Sequence, residues 1–135
     1  MYRPALTTGA LFAAMGVILG AFGAHALKQH LDAVSLATFE TGVRYQMYHA
    51  FALLAVGVIH AGSPNRLVRA ANALFTIGIV LFSGSLYLLS LRVASGSAGL
   101  GGLGIFTPIG GVFFIAGWVA LVLGITQRKR TGTLS

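Results

Sequence analysis

Four long stretches without a charged side chain decide what this chain can fold into. Residues 4–27 lie uncharged between Arg3 and Lys28, residues 45–65 between Arg44 and Arg66, residues 70–91 between Arg69 and Arg92, and residues 93–127 between Arg92 and Arg128. A helix crossing the hydrocarbon of a bilayer takes about 20 mainly apolar residues at about 1.5 Å each, so every run is long enough. Charged residues make up 8% of the 135, where a soluble domain carries roughly 25%. The sequence therefore predicts an all-α membrane protein: one domain over residues 1–135, built as a four-transmembrane-helix antiparallel bundle. The helices are expected near 5–27, 36–61, 64–91 and 108–127, with a Gly-rich loop over 93–106. Disorder and coiled coils need more charge, and the absence of cysteine excludes a disulfide framework or a thiolate-ligated metal.

Local signals place the helix ends. Gly62 is expected to stop the second helix, and Ser63-Pro64 reads as an N-cap followed by Pro at the first helical position of the third. Thr107-Pro108 repeats that pattern at the fourth. Leu36, Phe39 and Val43 recur at helical spacing, so the second helix is expected to begin near Leu36. Glu40 and Arg44 fall one turn apart, a spacing that suits an ion pair.

Four spans put both termini on one side. That side holds Arg3, Arg66, Arg69, Arg128, Lys129 and Arg130, six bases, against Lys28, Arg44 and Arg92 on the other. The positive-inside rule then predicts cytoplasmic termini and outward-facing Asp32 and Glu40. Arg3, the first apolar run and Ala24-His25-Ala26 imitate a secretory leader, but a run of about 20 residues exceeds the 7–15 of a leader core. The first helix is expected to stay, and the expected address is a bacterial inner membrane, crossed several times.

Several apparent signals of chemistry dissolve on inspection. The formal charge of +7 comes from nine scattered bases and two acids, without a basic patch interleaved with aromatics, so no nucleic acid partner is expected. Gly99-Leu100-Gly101-Gly102-Leu103-Gly104 fits GxGxxG, yet it joins two membrane helices and no acid follows it, whereas a dinucleotide site needs a strand before and a helix after. His49 and His60 lie about 16 Å apart along one helix and cannot share an ion. No metal and no cofactor are expected. Gly16, Gly20 and Ala24, and likewise Ala116, Ala120 and Gly124, recur every four residues, a stripe that lets helices approach closely within the chain or between protomers.

The most informative group is Arg44-Tyr45-Gln46-Met47-Tyr48-His49-Ala50. Tyr45 and His49 are one turn apart, as are Arg44 and Tyr48, so several polar heads enter the apolar layer together. The predicted topology adds His25, Tyr87 and Thr107 at the same leaflet. Two readings stand side by side. One is an interfacial belt of Tyr and Arg anchors with His49 bonded to a backbone carbonyl. The other is a shallow outward-facing pocket for an anion or lipid headgroup, in which Arg44 supplies charge, His49, Tyr45 and Gln46 supply hydrogen bonds, and the free N–H groups beside Gly110 and Gly111 add a partial positive end.

Gly20-Ala21-Phe22-Gly23-Ala24-His25-Ala26-Leu27, Phe39-Glu40-Thr41-Gly42-Val43-Arg44-Tyr45-Gln46-Met47-Tyr48-His49-Ala50, Phe82-Ser83-Gly84-Ser85-Leu86-Tyr87 and Thr107-Pro108-Ile109-Gly110-Gly111 follow one another in order. Together they resemble the YgdD family of small bacterial membrane proteins, a family of unknown function whose eukaryotic relatives are called transmembrane protein 256. The resemblance covers nearly the whole chain and implies a four-helix inner-membrane protein; it implies no reaction.

Function is narrowed by what is missing. Coupled transporters place ionisable groups near the membrane midplane, but no span core holds Asp or Glu, and only Ser83 and Ser85 are polar at mid-depth. No nucleophile, base and acid converge, so an enzyme is not expected. The sequence favours a structural or accessory bundle that self-associates or joins a larger membrane complex or lipid through the outer-leaflet polar group. The alternative is a passive channel or small-solute transporter formed by the bundle or its oligomer.

Overall fold

A computed structural model of the chain describes residues 1–96 and 101–127, and among the described residues there is no strand. Ser97 to Leu100 of the Gly-rich loop, and Arg128, Lys129 and Arg130 of the basic tail, lie outside them. Helix α1 (Arg3–His25) starts with Pro4 in its first turn, where a backbone N–H has no helical acceptor to lose. After a 3-10 turn at Leu27–Gln29 comes α2 (Ala33–Gly62), 30 residues long. Its start lies upstream of Leu36 because Asp32 caps it: the carboxylate accepts the N–H groups of Val34 and Ser35, each at 2.9 Å, and the Ser35 hydroxyl at 2.8 Å. These bonds, the Ser35 N–H foremost, hold the Asp32 carboxyl below its ordinary pKa. Glu40 and Arg44 are both exposed and form no ion pair.

The α2 helix ends at Gly62 as expected, but the next helix does not start at Ser63-Pro64. Helix α3 (Arg66–Gly78) is capped by Asn65, whose Oδ1 accepts the Val68 N–H at 3.0 Å, while Ser63 Oγ instead accepts the Asn65 amide at 3.3 Å. The rod continues through a π turn at Ile79–Ser83, where the Gly84 N–H reaches back to the Ile79 carbonyl, into α4 (Gly84–Ala94). Beyond a 3-10 turn at Gly101–Ile105, α5 (Phe106–Gln127) begins ahead of Pro108. Thr107 does not cap it; its hydroxyl lies 2.7 Å from Ser85 Oγ on α4.

Among the described residues three segments are long and apolar enough to cross a membrane: Arg3–Gln29, Arg66–Val93 and Gly101–Gln127. The longest helix, α2, is not among them, because Tyr45, Gln46, Tyr48, His49 and His60 dilute its apolar character. Yet α2 is central to the packing: α1 lies along it, α3, the π turn and α4 lie against its other side, and α5 packs mainly on α3 and the π turn. The core of Leu53, Val56, Val68, Phe75, Ile79, Phe114 and Leu121 fills the seam.

Glycines set how closely the outer helices approach. Gly9, Gly16 and Gly23 on α1 are buried against Ala50 and Leu54, Met47, and Phe39 of α2; Gly110, Gly117 and Gly124 on α5 are buried against Phe82, Phe75 and Val68. Both seams run every seven residues, about 20° short of two full turns, which keeps them on one slowly drifting face. The four-residue stripes are used in part within the chain. Gly16 faces Met47 and Gly20 faces Val43, but Ala24 is exposed; Ala120 and Gly124 are buried and Ala116 half-buried. Outside, Leu11, Val17, Ile18, Val58, Val112, Ile115 and Val122 are all exposed, an apolar coat far beyond the patches a soluble monomer shows.

Candidate functional site: a polar set at the centre of the bundle

The strongest sequence candidates, Gln46 and His49, face inward on α2, 2% and 5% exposed. A bare amide or imidazole in an apolar interior costs several kcal/mol unless its polar atoms find partners. Both residues find them, three of the four on other helices. The Gln46 Nε2 donates to the Phe12 carbonyl of α1 at 2.8 Å, and its Oε1 accepts the Tyr87 hydroxyl of α4 at 2.8 Å. The His49 Nδ1 lies 2.7 Å from the Tyr45 carbonyl, and the Trp118 indole N–H of α5 points at His49 Nε2 from 3.3 Å. An indole nitrogen can only donate, so Nε2 must accept; the ring is then neutral, with its proton on Nδ1 donated to Tyr45.

An aromatic shell encloses this imidazole. Phe114 lies flat upon it, centroids 3.5 Å apart and planes 5° from parallel, and Phe75 meets it at 5.6 Å. Tyr45, 38% exposed, packs its ring on Phe82 at 4.6 Å. Phe39 and Tyr87 pack together at 5.0 Å.

Of the eight candidates, then, Gln46, His49, Tyr45 and Tyr87 form or border this interior set, and Thr107 pairs with Ser85. Arg44, Tyr48 and His25 are exposed, and none of their side chains hydrogen-bonds to Gln46 or His49. Gly110, expected to open an anion-binding turn, is pressed on the backbone of Phe82. Nearby, an open apolar groove of about 520 Å³ between α4 and α5 is lined by Val80, Leu81, Leu88, Leu103 and Phe106 along with Gly84, Ser85 and Tyr87; it does not reach Gln46 or His49.

Sequence reasoning missed Trp118 and Phe114. They stand one turn apart on α5, and that spacing was the available signal; their pairing with His49, across 69 residues for Trp118, depends on how α2 and α5 align. Chemically the set joins helices: using either nitrogen of His49, or either end of the Gln46 amide, means breaking an existing contact. Among the described residues no three of His, Cys, Asp and Glu gather closely enough to hold a metal ion.

The pattern of a family described as a protein of unknown function (DUF423) matches residues 19–111. The chain is similar to a UPF0382 membrane protein of Staphylococcus saprophyticus, 47% identical over 119 residues, or 86% of this chain and 91% of the relative. A UPF0382 membrane protein of Haemophilus influenzae is 40% identical over 124 residues, 92% of this chain and 94% of its own. The UPF0382 inner membrane protein YgdD of Escherichia coli K12 is 38% identical over 116 residues, 86% and 84% of the two chains. No solved structure matches.

Proposed function

The chain belongs to the DUF423 family, relatives of which are named membrane proteins, and from that premise we propose that it is a four-span accessory bundle of the bacterial inner membrane. In this reading α2 is the fourth span, both termini are cytoplasmic, and the protein acts by associating with itself, a larger complex or lipid through its apolar outer surface.

One observation carries the reading. Three of the four polar atoms of Gln46 and His49 bond to α1, α4 and α5, through Phe12, Tyr87 and Trp118, and so serve cohesion between helices. Satisfied in this way, they remove the main obstacle to placing α2 in hydrocarbon. The bases of the sequence support the orientation: Arg3, Arg66, Arg69, Arg128, Lys129 and Arg130 fall in the terminal segments and the α2–α3 hairpin, six against Lys28, Arg44 and Arg92 on the other side. Phe75, Phe114 and Leu53 fill the centre, which favours a packed bundle over a pore within one chain.

The test is native mass spectrometry of the protein extracted gently from its own membrane, paired with flux through liposomes containing it. The proposal expects a homo-oligomer, a heteromeric mass or a retained lipid, and ion flux equal to that of empty vesicles. A bare monomer, or flux that rises with protein, contradicts it.

A further inference from the structure

At the end of the molecule opposite both acids, a cavity of about 330 Å³ is lined by His60, Pro64, Asn65, Arg66 and Arg69. We propose that this cavity binds a phosphate group, carried either by an anionic phospholipid headgroup or by free inorganic phosphate.

The side chains at this end carry unbalanced positive charge. Arg66 and Arg69 lie three positions apart at the start of α3, so they share a face, and among the described residues neither guanidinium has a hydrogen-bond or ion-pair partner. Asp32 and Glu40 are the chain's only acidic side chains. Glu40 is 20 positions from His60 on the same helix, about 30 Å along its axis, and Asp32 lies beyond it as the cap of α2. No acidic side chain of the chain is therefore within reach of the pair.

The cavity's other polar group is already engaged. The Asn65 amide donates to Gly124 and Ser63 and accepts from Val68, so it braces the floor and leaves recognition to the cations. His60 is held in the wall by the Tyr2 ring, 4.8 Å away, and Tyr2 is itself tied down by its N–H bond to the Gly57 carbonyl. Guanidinium forks match phosphate oxygens in a two-pronged geometry that a hydrated surface lysine does not reproduce. A fixed anion between the two arginines would also remove their mutual repulsion. This inference goes beyond the accessory role and stands without it.

The full-length protein is placed in phosphatidylcholine nanodiscs, in discs that also contain phosphatidylglycerol, and in phosphatidylcholine discs with inorganic phosphate added. The thermal midpoint and the ligand retained in native mass spectra are recorded for each. The wild type and Arg3→Gln, a charge at the same end outside the cavity, are expected to gain midpoint with at least one probe. Arg66→Gln/Arg69→Gln is expected to lose that gain and to bind about thirtyfold more weakly, from roughly fivefold per cation. A response to phosphatidylglycerol alone assigns a headgroup, and a response to phosphate assigns the free ion. Either single variant carries the same test if the double variant does not fold. The proposal is overturned if neither probe shifts the wild type, if the double variant responds as the wild type does, or if Arg3→Gln loses as much as Arg66→Gln.

Discussion

Gln46 shows how a single residue can make a polar helix fit an apolar layer. Its amide reaches α1 and α4 at once, so Gln46→Leu strips one bond from each and leaves the Tyr87 hydroxyl without its partner. The expected loss is about 1–3 kcal/mol of unfolding free energy in mixed micelles. A double-mutant cycle with Tyr87→Phe should return a coupling of about 0.6 kcal/mol, at most about 1.7, the range for hydrogen bonds between membrane helices; a coupling of zero would refute the bond. At His49 the expectation is spectroscopic. Nitrogen NMR should find a neutral ring protonated on Nδ1, and Trp118→Phe should move the Nε2 resonance while leaving Nδ1 in place. A ring protonated on Nε2 would contradict the assigned contacts. That Gln46, His49 and Tyr87 are special was legible from their position in an apolar run. Their partners were not, because a backbone carbonyl such as that of Phe12 leaves no mark in a sequence, and the alignment of α2 with α5 is set by the whole bundle.

Among the elements, the π turn and α5 meet backbone to backbone at Gly110. A Cβ at Gly110 would stand 2.5 Å from the Phe82 nitrogen and 2.8 Å from its Cα, both backbone atoms that cannot swing aside, whereas one at Gly84 would meet nothing within 4 Å. Gly110→Ala should therefore destabilise by about 3 kcal/mol, the upper end of the usual overpacking range. Gly84→Ala should be neutral or stabilise by up to about 1 kcal/mol, since the site is already helical. Equal midpoints for the two variants on heating would contradict this packing. The start of α2 carries a pH signature. Because the folded state lowers the Asp32 pKa, its stabilising share is complete above the ordinary carboxylate range and disappears as pH falls through the folded value. Asp32→Asn keeps a capping oxygen but cannot titrate, so its melting curve should lose that acid-side slope; an unchanged slope would place the titration elsewhere. Helix existence was legible here and helix starts less so. Ser63-Pro64 and Thr107-Pro108 both look like caps, but Asn65 has the reach to the third backbone N–H, and Thr107 is engaged with Ser85. The π turn falls in an unbroken apolar run with no Pro to announce it. The seven-residue glycine seams were present in the sequence, but the four-residue stripes beside them are the commoner pattern.

For the molecule as a whole, charge-free length points to four spans while apolar content points to three, and the difference is α2. An isolated helix with its composition would be a poor span. Inside this bundle its two most buried polar side chains, Gln46 and His49, are turned inward and bond to α1, α4 and α5, which offsets the cost that hydropathy assigns to those two. A four-span bundle therefore requires that α2 cross the membrane. The absence of native cysteine makes the decisive measurement clean: single cysteines at His30, before α2, and at Pro64, after it, probed in intact cells with a membrane-impermeant thiol reagent. Both positions are exposed. The account predicts labelling at His30 and protection at Pro64 until the membrane is permeabilised; the same behaviour at both sites would contradict it.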